Sequence, residues 1–203
     1  LAKLKAPLMS LGASGALGKA LVFFGWKGLD VVREYVIPAN PKTTAQNTQR
    51  GYLTAAVAMI HYCQSSAVPL AEADIMAYAL WGSTLPTPRT WFNQAVKNWV
   101  DQKVAEKTPA IYFAGLITPG SEKLTFRCFY APEAGVATDG AIFYGTSKTA
   151  LINSIAATPA EMEAGKEIPN LKKGVKYFCQ YRPNAPDAFV GAMSGIYYGV
   201  PLA

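Results

Sequence analysis

The stretch Leu171-Lys172-Lys173-Gly174-Val175-Lys176-Tyr177, running on through Phe178 to Cys179, decides how the second half of this chain is read. Its Lys173-Gly174 pair is a turn signal set just before an apolar and aromatic run, Val175–Tyr181. Runs of the same kind recur on both sides of it, at Ala110–Ile117, Leu124–Tyr130, Ala141–Tyr144, Ile152–Thr158 and Ile196–Val200. Between them lie Pro119-Gly120-Ser121 and Asp139-Gly140. Short strands at regular intervals, each closed by turn residues, predict an all-β sandwich over residues 109–203, about the length of one immunoglobulin-like domain.

The quoted stretch resembles the fibronectin type III pattern in which a leucine, a turn glycine and a tyrosine lead into the sixth strand. That resemblance covers residues 109–203 and gives Leu171, Gly174 and Tyr177 their roles: leucine plugs one end, glycine turns the corner, and the tyrosine hydroxyl bonds back to the backbone upstream. The family usually has proline before the glycine, where Lys173 stands here. Met193-Ser194-Gly195-Ile196-Tyr197-Tyr198 looks like the last strand of that fold.

Cys179 follows Tyr177 by two residues, so the two side chains share a face of the strand. Cys128 belongs to the alternating set Leu124, Phe126, Cys128, Tyr130, which also faces inward. Cys128 and Cys179 are therefore either a disulfide or a pair of buried thiols. A disulfide would close a loop of about 50 residues and stabilise by roughly 3–4 kcal/mol; buried thiols fit a protein assembled in a reducing cell. Cys63 reads as a small buried hydrophobe.

The front of the chain differs. Residues 1–42 are glycine-rich, with apolar runs Leu17–Trp26 and Leu29–Ile37 about a Lys27-Gly28 turn, which predicts a β-hairpin ended by Pro38 and Pro41. Residues 43–108 predict helices. One is capped by Thr43 or Thr44 and carries Leu53, Val57 and Ile60 on its apolar face. A second covers Leu70–Trp81, and a third opens at Thr87-Pro88 with Trp91, Ala95 and Trp99 as its packing face. The fold class is thus α+β: an N-terminal hairpin arm, a helical segment and a fibronectin-III-like sandwich.

Around the hairpin's exit the residues Arg33, Pro38, Asn40, Pro41, Thr43, Gln46 and Arg50 make an Arg-x4-Pro-x-Asn-Pro-x-Thr-x2-Gln-x3-Arg core. With the glycine-rich start and the later tryptophans, it resembles a group of uncharacterised phage and prophage proteins over residues 10–105. The resemblance implies a virion structural role, capsid-associated or tail-associated, in a particle assembled in the host cytoplasm. Arg33 and Arg50 are expected to bond carbonyls at the strand–helix joint or to meet a neighbouring subunit.

Leu21, Phe23, Phe24 and Trp26 are more apolar surface than a lone hairpin can bury. Either the chain's own helices cover them or neighbouring subunits do; in the second case they are, with Arg33, Asn40 and Arg50, the assembly-interface candidates, and the expected partners are copies of the same chain and other virion proteins. The alternative is a surface binding module, with Tyr197, Tyr198 and loop aromatics recognising a glycan or a host-surface protein.

Other classes fit poorly. The net charge of +6 is spread as 11 Lys and Arg against 6 Asp and Glu in residues 1–108, and 8 against 7 in residues 109–203. No block of like charge marks a nucleic-acid footprint, so that partner is not expected. No apolar run is long enough to span a bilayer. Residues Leu1–Phe24 do not read as a signal peptide, because Gly12, Gly15 and Gly18 interrupt the apolar region. Gly12 to Lys19 lacks the spacing and hydroxyl of a phosphate loop, since positions 13 and 20 are both alanine. Cys63 and His61 sit two apart on a helix and point to different faces. Glu161 and Glu163 read as a solvated turn. Three cysteines and one histidine give no metal-ligand spacing. No catalytic residue, metal or cofactor is expected.

Overall fold

The computed structural model describes residues 3–4, 13–37, 39–132, 139–184 and 189–202. Pro38 and Gly12 lie outside the described residues. The chain is mixed α+β with antiparallel sheets, and it divides into two compact units, Leu1–Thr43 and Thr44–Ala203.

The first unit is a four-stranded sheet in the order β1 (Lys3–Leu4), β2 (Ala13–Leu17), β3 (Leu21–Trp26), β4 (Leu29–Glu34). The expected strand Leu17–Trp26 is two strands: Gly18, at φ +58°, turns the chain, and Ala20 N donates to Leu17 O at 3.3 Å. Lys27 and Gly28 both have positive φ (50° and 82°), the geometry of a type I′ hairpin turn, and they join β3 to β4. The second strand stops at Glu34 rather than Ile37.

The second unit begins with α1 (Thr44–Gln64), α2 (Glu72–Gly82) and α3 (Trp91–Val104). In α1 the buried residues are Ala56, Ile60 and Cys63, while Leu53 is about half exposed. The expected face is therefore rotated: the small Ala56 and Cys63 side chains, not Leu53, turn toward the neighbouring elements. The third helix starts later than Thr87-Pro88. Thr90, extended at ψ 158°, accepts from Asn93 N at 3.3 Å and caps it, and residues 83–89 make the connection after Gly82. Ala95 and Trp99 are buried, as is Val96.

Two sheets follow. One has the order β5 (Ala110–Gly120), β6 (Lys123–Pro132), β9 (Lys166–Ile168). The other has the order β11 (Tyr197–Gly199), β10 (Tyr177–Pro183), β7 (Gly140–Gly145), β8 (Asn153–Ala156). Their shared core holds Tyr112, Leu124, Phe126, Cys128 and Ile168 from the first sheet and Ile142, Tyr177, Cys179 and Tyr181 from the second.

A second core lies on the opposite face of β5 and β6. Ile111, Phe113 and Ala131 pack there with Ala56, Ile60, Tyr78 and Trp99 of the helices. Strand β5 is thus buried on both faces from Ala110 to Gly115, which is why its sequence reads as an unbroken apolar run rather than an alternation. The segment 43–108 and the strands after residue 109 share this core.

Residues 159–164, read as a solvated turn, form helix α4 (Pro159–Ala164). Thr158 accepts from Glu161 N at 3.3 Å and Glu161 accepts from Thr158 N at 2.9 Å, a reciprocal cap with proline at the first position.

Candidate functional site

Where α2 meets β5 and β11, a carboxylate is sealed inside the second unit. Asp74 is fully buried. Its Oδ2 accepts from Ala71 N at 2.8 Å and Ala114 N at 3.0 Å; its Oδ1 accepts from Gly115 N at 2.8 Å and the Tyr197 hydroxyl at 2.6 Å. The two strand amides are free to point at one carboxylate because β5 is irregular there. Ala114 is left-handed at φ +52°, and the pairing with β6 shifts between Phe113 and Leu116. Gly115 must lack a side chain, since a Cβ there would stand 2.1 Å from the Tyr197 ring. Beside this junction the Tyr78 hydroxyl donates to Tyr112 O at 2.9 Å, and Tyr112 N donates back to Tyr78 Oη at 3.2 Å.

With four donors on two oxygens and no solvent access, Asp74 is saturated as an acceptor. Burial first, and then the Asp74 charge, push the Tyr78 and Tyr197 phenols well above their ordinary range. Both therefore stay protonated and keep donating. The junction clasps helix to sheet.

Next to it lies an apolar hollow of about 260 Å³, with Met76, Leu116, Ile117 and Tyr198 at its wall. Tyr197, expected as an aromatic for ligand contact, is buried by the junction. Tyr198 is half exposed, with the Lys176 ammonium 4.6 Å from its ring centre. A second hollow, of about 440 Å³ and with a wall more apolar than polar, lies along α3 between Trp81, Leu85, Arg89, Gln94, Gln102 and Met193.

The corner residues meet as follows. Lys172 N donates to Tyr177 Oη at 3.2 Å, Gly174 takes φ +72°, and Leu171 is buried at the end of the inter-sheet core. Cys128 and Cys179 are free thiols buried in that core, and Cys63 is a free thiol in the helical one. Burial pushes Cys179 up to about 12; it raises Cys128 too, with the Asp74 charge adding to the effect.

The interface candidates of the hairpin do not form one patch. Cross-strand partners share a face of a sheet. The pairs Val22–Arg33, Phe24–Val31 and Trp26–Leu29 therefore lie on one side, and Leu21–Glu34 and Phe23–Val32 on the other. Arg33 holds its guanidinium 5.4 Å from the Phe24 ring centre. Asn40 is exposed in the segment after β4 and Arg50 is exposed on α1; the motif they belong to runs across the division between the two units.

No family model matches this chain, and no curated protein matches it either. Among the described residues no group of three or more His, Cys, Asp or Glu side chains is arranged to hold a metal ion, and no helix is long and apolar enough to cross a membrane.

Sequence reasoning did not single out Asp74. Its signal was present: Asp74, Ala77 and Tyr78 fall at i, i+3 and i+4, so the aspartate shares a helix face with residues that prefer burial.

Proposed function

We propose that this chain is a structural component of a phage-like virion and acts by assembly. The first unit attaches to neighbouring subunits while the second, a fibronectin-III-like domain carrying a helical layer, is displayed. The carrying observation is the apolar load of the first unit. Trp26 is 59% exposed, Leu29 69%, Val36 70% and Ile37 71%.

That sheet is one layer thick among its described residues and carries aromatic or aliphatic side chains on both faces. A sheet of this kind is stable when something covers it. Cover from copies of the same chain and from other virion proteins meets that need on both faces at once. The fibronectin-III-like reading is supported by a three-stranded sheet and a four-stranded sheet around one core, and by the Tyr177 hydroxyl bonded to the backbone five residues upstream. The Arg33-to-Arg50 motif supports the phage-like origin. The role is non-enzymatic in this reading, with no cofactor or metal.

Analytical ultracentrifugation of the full chain tests it. The expected result is a defined oligomer that dissociates when Phe24→Asp and Trp26→Asp are introduced together. A folded monomer over the whole accessible concentration range would overturn the proposal.

A further inference from the structure

A third hollow, of about 160 Å³ and with a wall more polar than apolar, lies between the C-terminal end of α2, the β7–β8 connection and β10. Lys148 and Arg182 both line it, with Thr84, Thr149 and Gln180, and among the described residues no acidic side chain does. All of these residues belong to the second unit, and neither the clasp at Asp74 nor the assembly role uses them.

Strand alternation puts Arg182 there. Cys179 and Tyr181 belong to the inter-sheet core, so Gln180 and Arg182 share the opposite face of β10. Gln180 is 1% exposed, and its amide is fixed at both ends. Its Nε2 donates to Ser194 O at 2.8 Å, and its Oε1 accepts from Arg182 Nε at 2.9 Å. The Arg182 Cζ also stands 4.6 Å from the Phe143 ring centre. A buried amide and an aromatic ring therefore hold the guanidinium in one orientation, but neither supplies a negative charge. Among the described residues no carboxylate pairs with Arg182; its two Nη groups have no acceptor, and neither is shut off from solvent. Burial pulls the guanidinium below its ordinary pKa, a penalty that an anion beside it would offset.

Lys148 approaches from the β7–β8 connection. Its Nζ donates to Ser83 Oγ at 2.9 Å, and no carboxylate among the described residues pairs with it. The end of α2 does not call for that charge. The Ser83 and Thr84 hydroxyls already donate to Leu80 O at 2.7 Å and Trp81 O at 2.8 Å. An ammonium has three donors, so two of them remain for a ligand.

We infer that this hollow binds a phosphate group, with the Arg182 Nη pair meeting two of its oxygens and Lys148 a third. An arginine fork and a lysine point charge are the usual holders of such a group. Two positive charges without an acid between them favour a dianion over a carboxylate. The volume is well below that of a site for a drug-sized molecule, so it takes the phosphate alone, either free or as the ester end of something larger. The site does not depend on the assembly reading.

The test is an NMR titration of the nitrogen-15-labelled full chain, at constant ionic strength, with inorganic phosphate, glycerol 3-phosphate and acetate. Inorganic phosphate is expected to shift the Arg182 Nε–H and Thr149 amide signals with saturation, and acetate to bind about ten-fold more weakly or worse. Lys148→Met and Arg182→Gln are each expected to weaken phosphate binding about ten-fold or more. Lys148 lies in a connection, so its variant decides the matter if Arg182→Gln does not fold. Glycerol 3-phosphate binding as tightly as inorganic phosphate supports the site and assigns it to an ester; weaker binding supports it and assigns it to the free ion. No saturable shift with phosphate, acetate binding equally well, or binding undiminished in Lys148→Met overturns the proposal.

Discussion

The sheet of residues 13–34 and the strand β5 use similar residues to opposite ends. Leu21–Trp26 and Ala110–Gly115 are both short apolar, aromatic runs. In β5 each face has a layer against it, helices on one side and the second sheet on the other, and all six residues are buried. In β3 none of the six is buried. A hydrophobic strand therefore does not define its own surroundings. What differs is the supply of covering layers within the same unit, which is why stability should reside in the second unit and association in the first.

The largest expected effect tests the second unit. Asp74→Ala strands three amides and a phenol, and hydrogen bonds to a charged group are worth about 1.5–3 kcal/mol each. A loss of about 4 kcal/mol or more is expected in urea unfolding followed by the fluorescence of Trp81, Trp91 and Trp99. Tyr197→Phe removes one of those donors and should cost about 1.5 kcal/mol or more by the same measurement. Loss of less than 1 kcal/mol in Asp74→Ala would show that the clasp contributes little.

Alkali should act on the second unit next. Cys179 is raised from an ordinary 9.0 to about 12 in the folded chain. The unfolded thiol therefore ionises first, and the stability contributed by the protonated thiol is full below about pH 9. It falls by about 1.4 kcal/mol per pH unit as pH rises toward 12. The phenols of Tyr78 and Tyr197, also raised, add to the fall above pH 10. Denaturation midpoints across pH 8 to 11 check this, and the Cys179→Ala variant should have a shallower slope.

A smaller effect is expected at the corner. Tyr177→Phe deletes the bond from Lys172 N and should cost about 1 kcal/mol. The smallest belongs to the first unit. Trp26→Lys with Leu29→Lys should leave the unfolding of the second unit within about 0.5 kcal/mol of the parent, while abolishing association measured by light scattering. A large drop in stability from these two changes would erase the contrast between the regions.

Much of this architecture is legible in the sequence where a single period rules. Alternation at Leu124, Phe126 and Cys128 marks an inward face, and Lys27-Gly28 marks a turn. The strand breaks down as a reading at Gly18, because an apolar run hides a turn that only backbone conformation reveals. Helix α4 was readable from Thr158-Pro159 with Glu161 three residues after the cap, yet two nearby glutamates suggest solvent more strongly than a six-residue helix. The phase of α1 depends on which side chains its neighbours accept, and Ala56 fits where Leu53 does not. Asp74 is a long-range feature: it is ordinary in its own segment and acquires meaning from strands far along the chain.

The bond between Tyr197 and Asp74 spans 123 residues of chain. During synthesis, the helix bearing Asp74 emerges long before its final donor. Until residue 197 has cleared the ribosome, that carboxylate lacks one of its four donors and has to remain hydrated or wait in a partly formed state. Tyr197 thus closes the clasp only after β5 to β10 have been made, and a ribosome stalled between residues 116 and 197 would hold a chain with α1, α2 and α3 made but its latch unfastened.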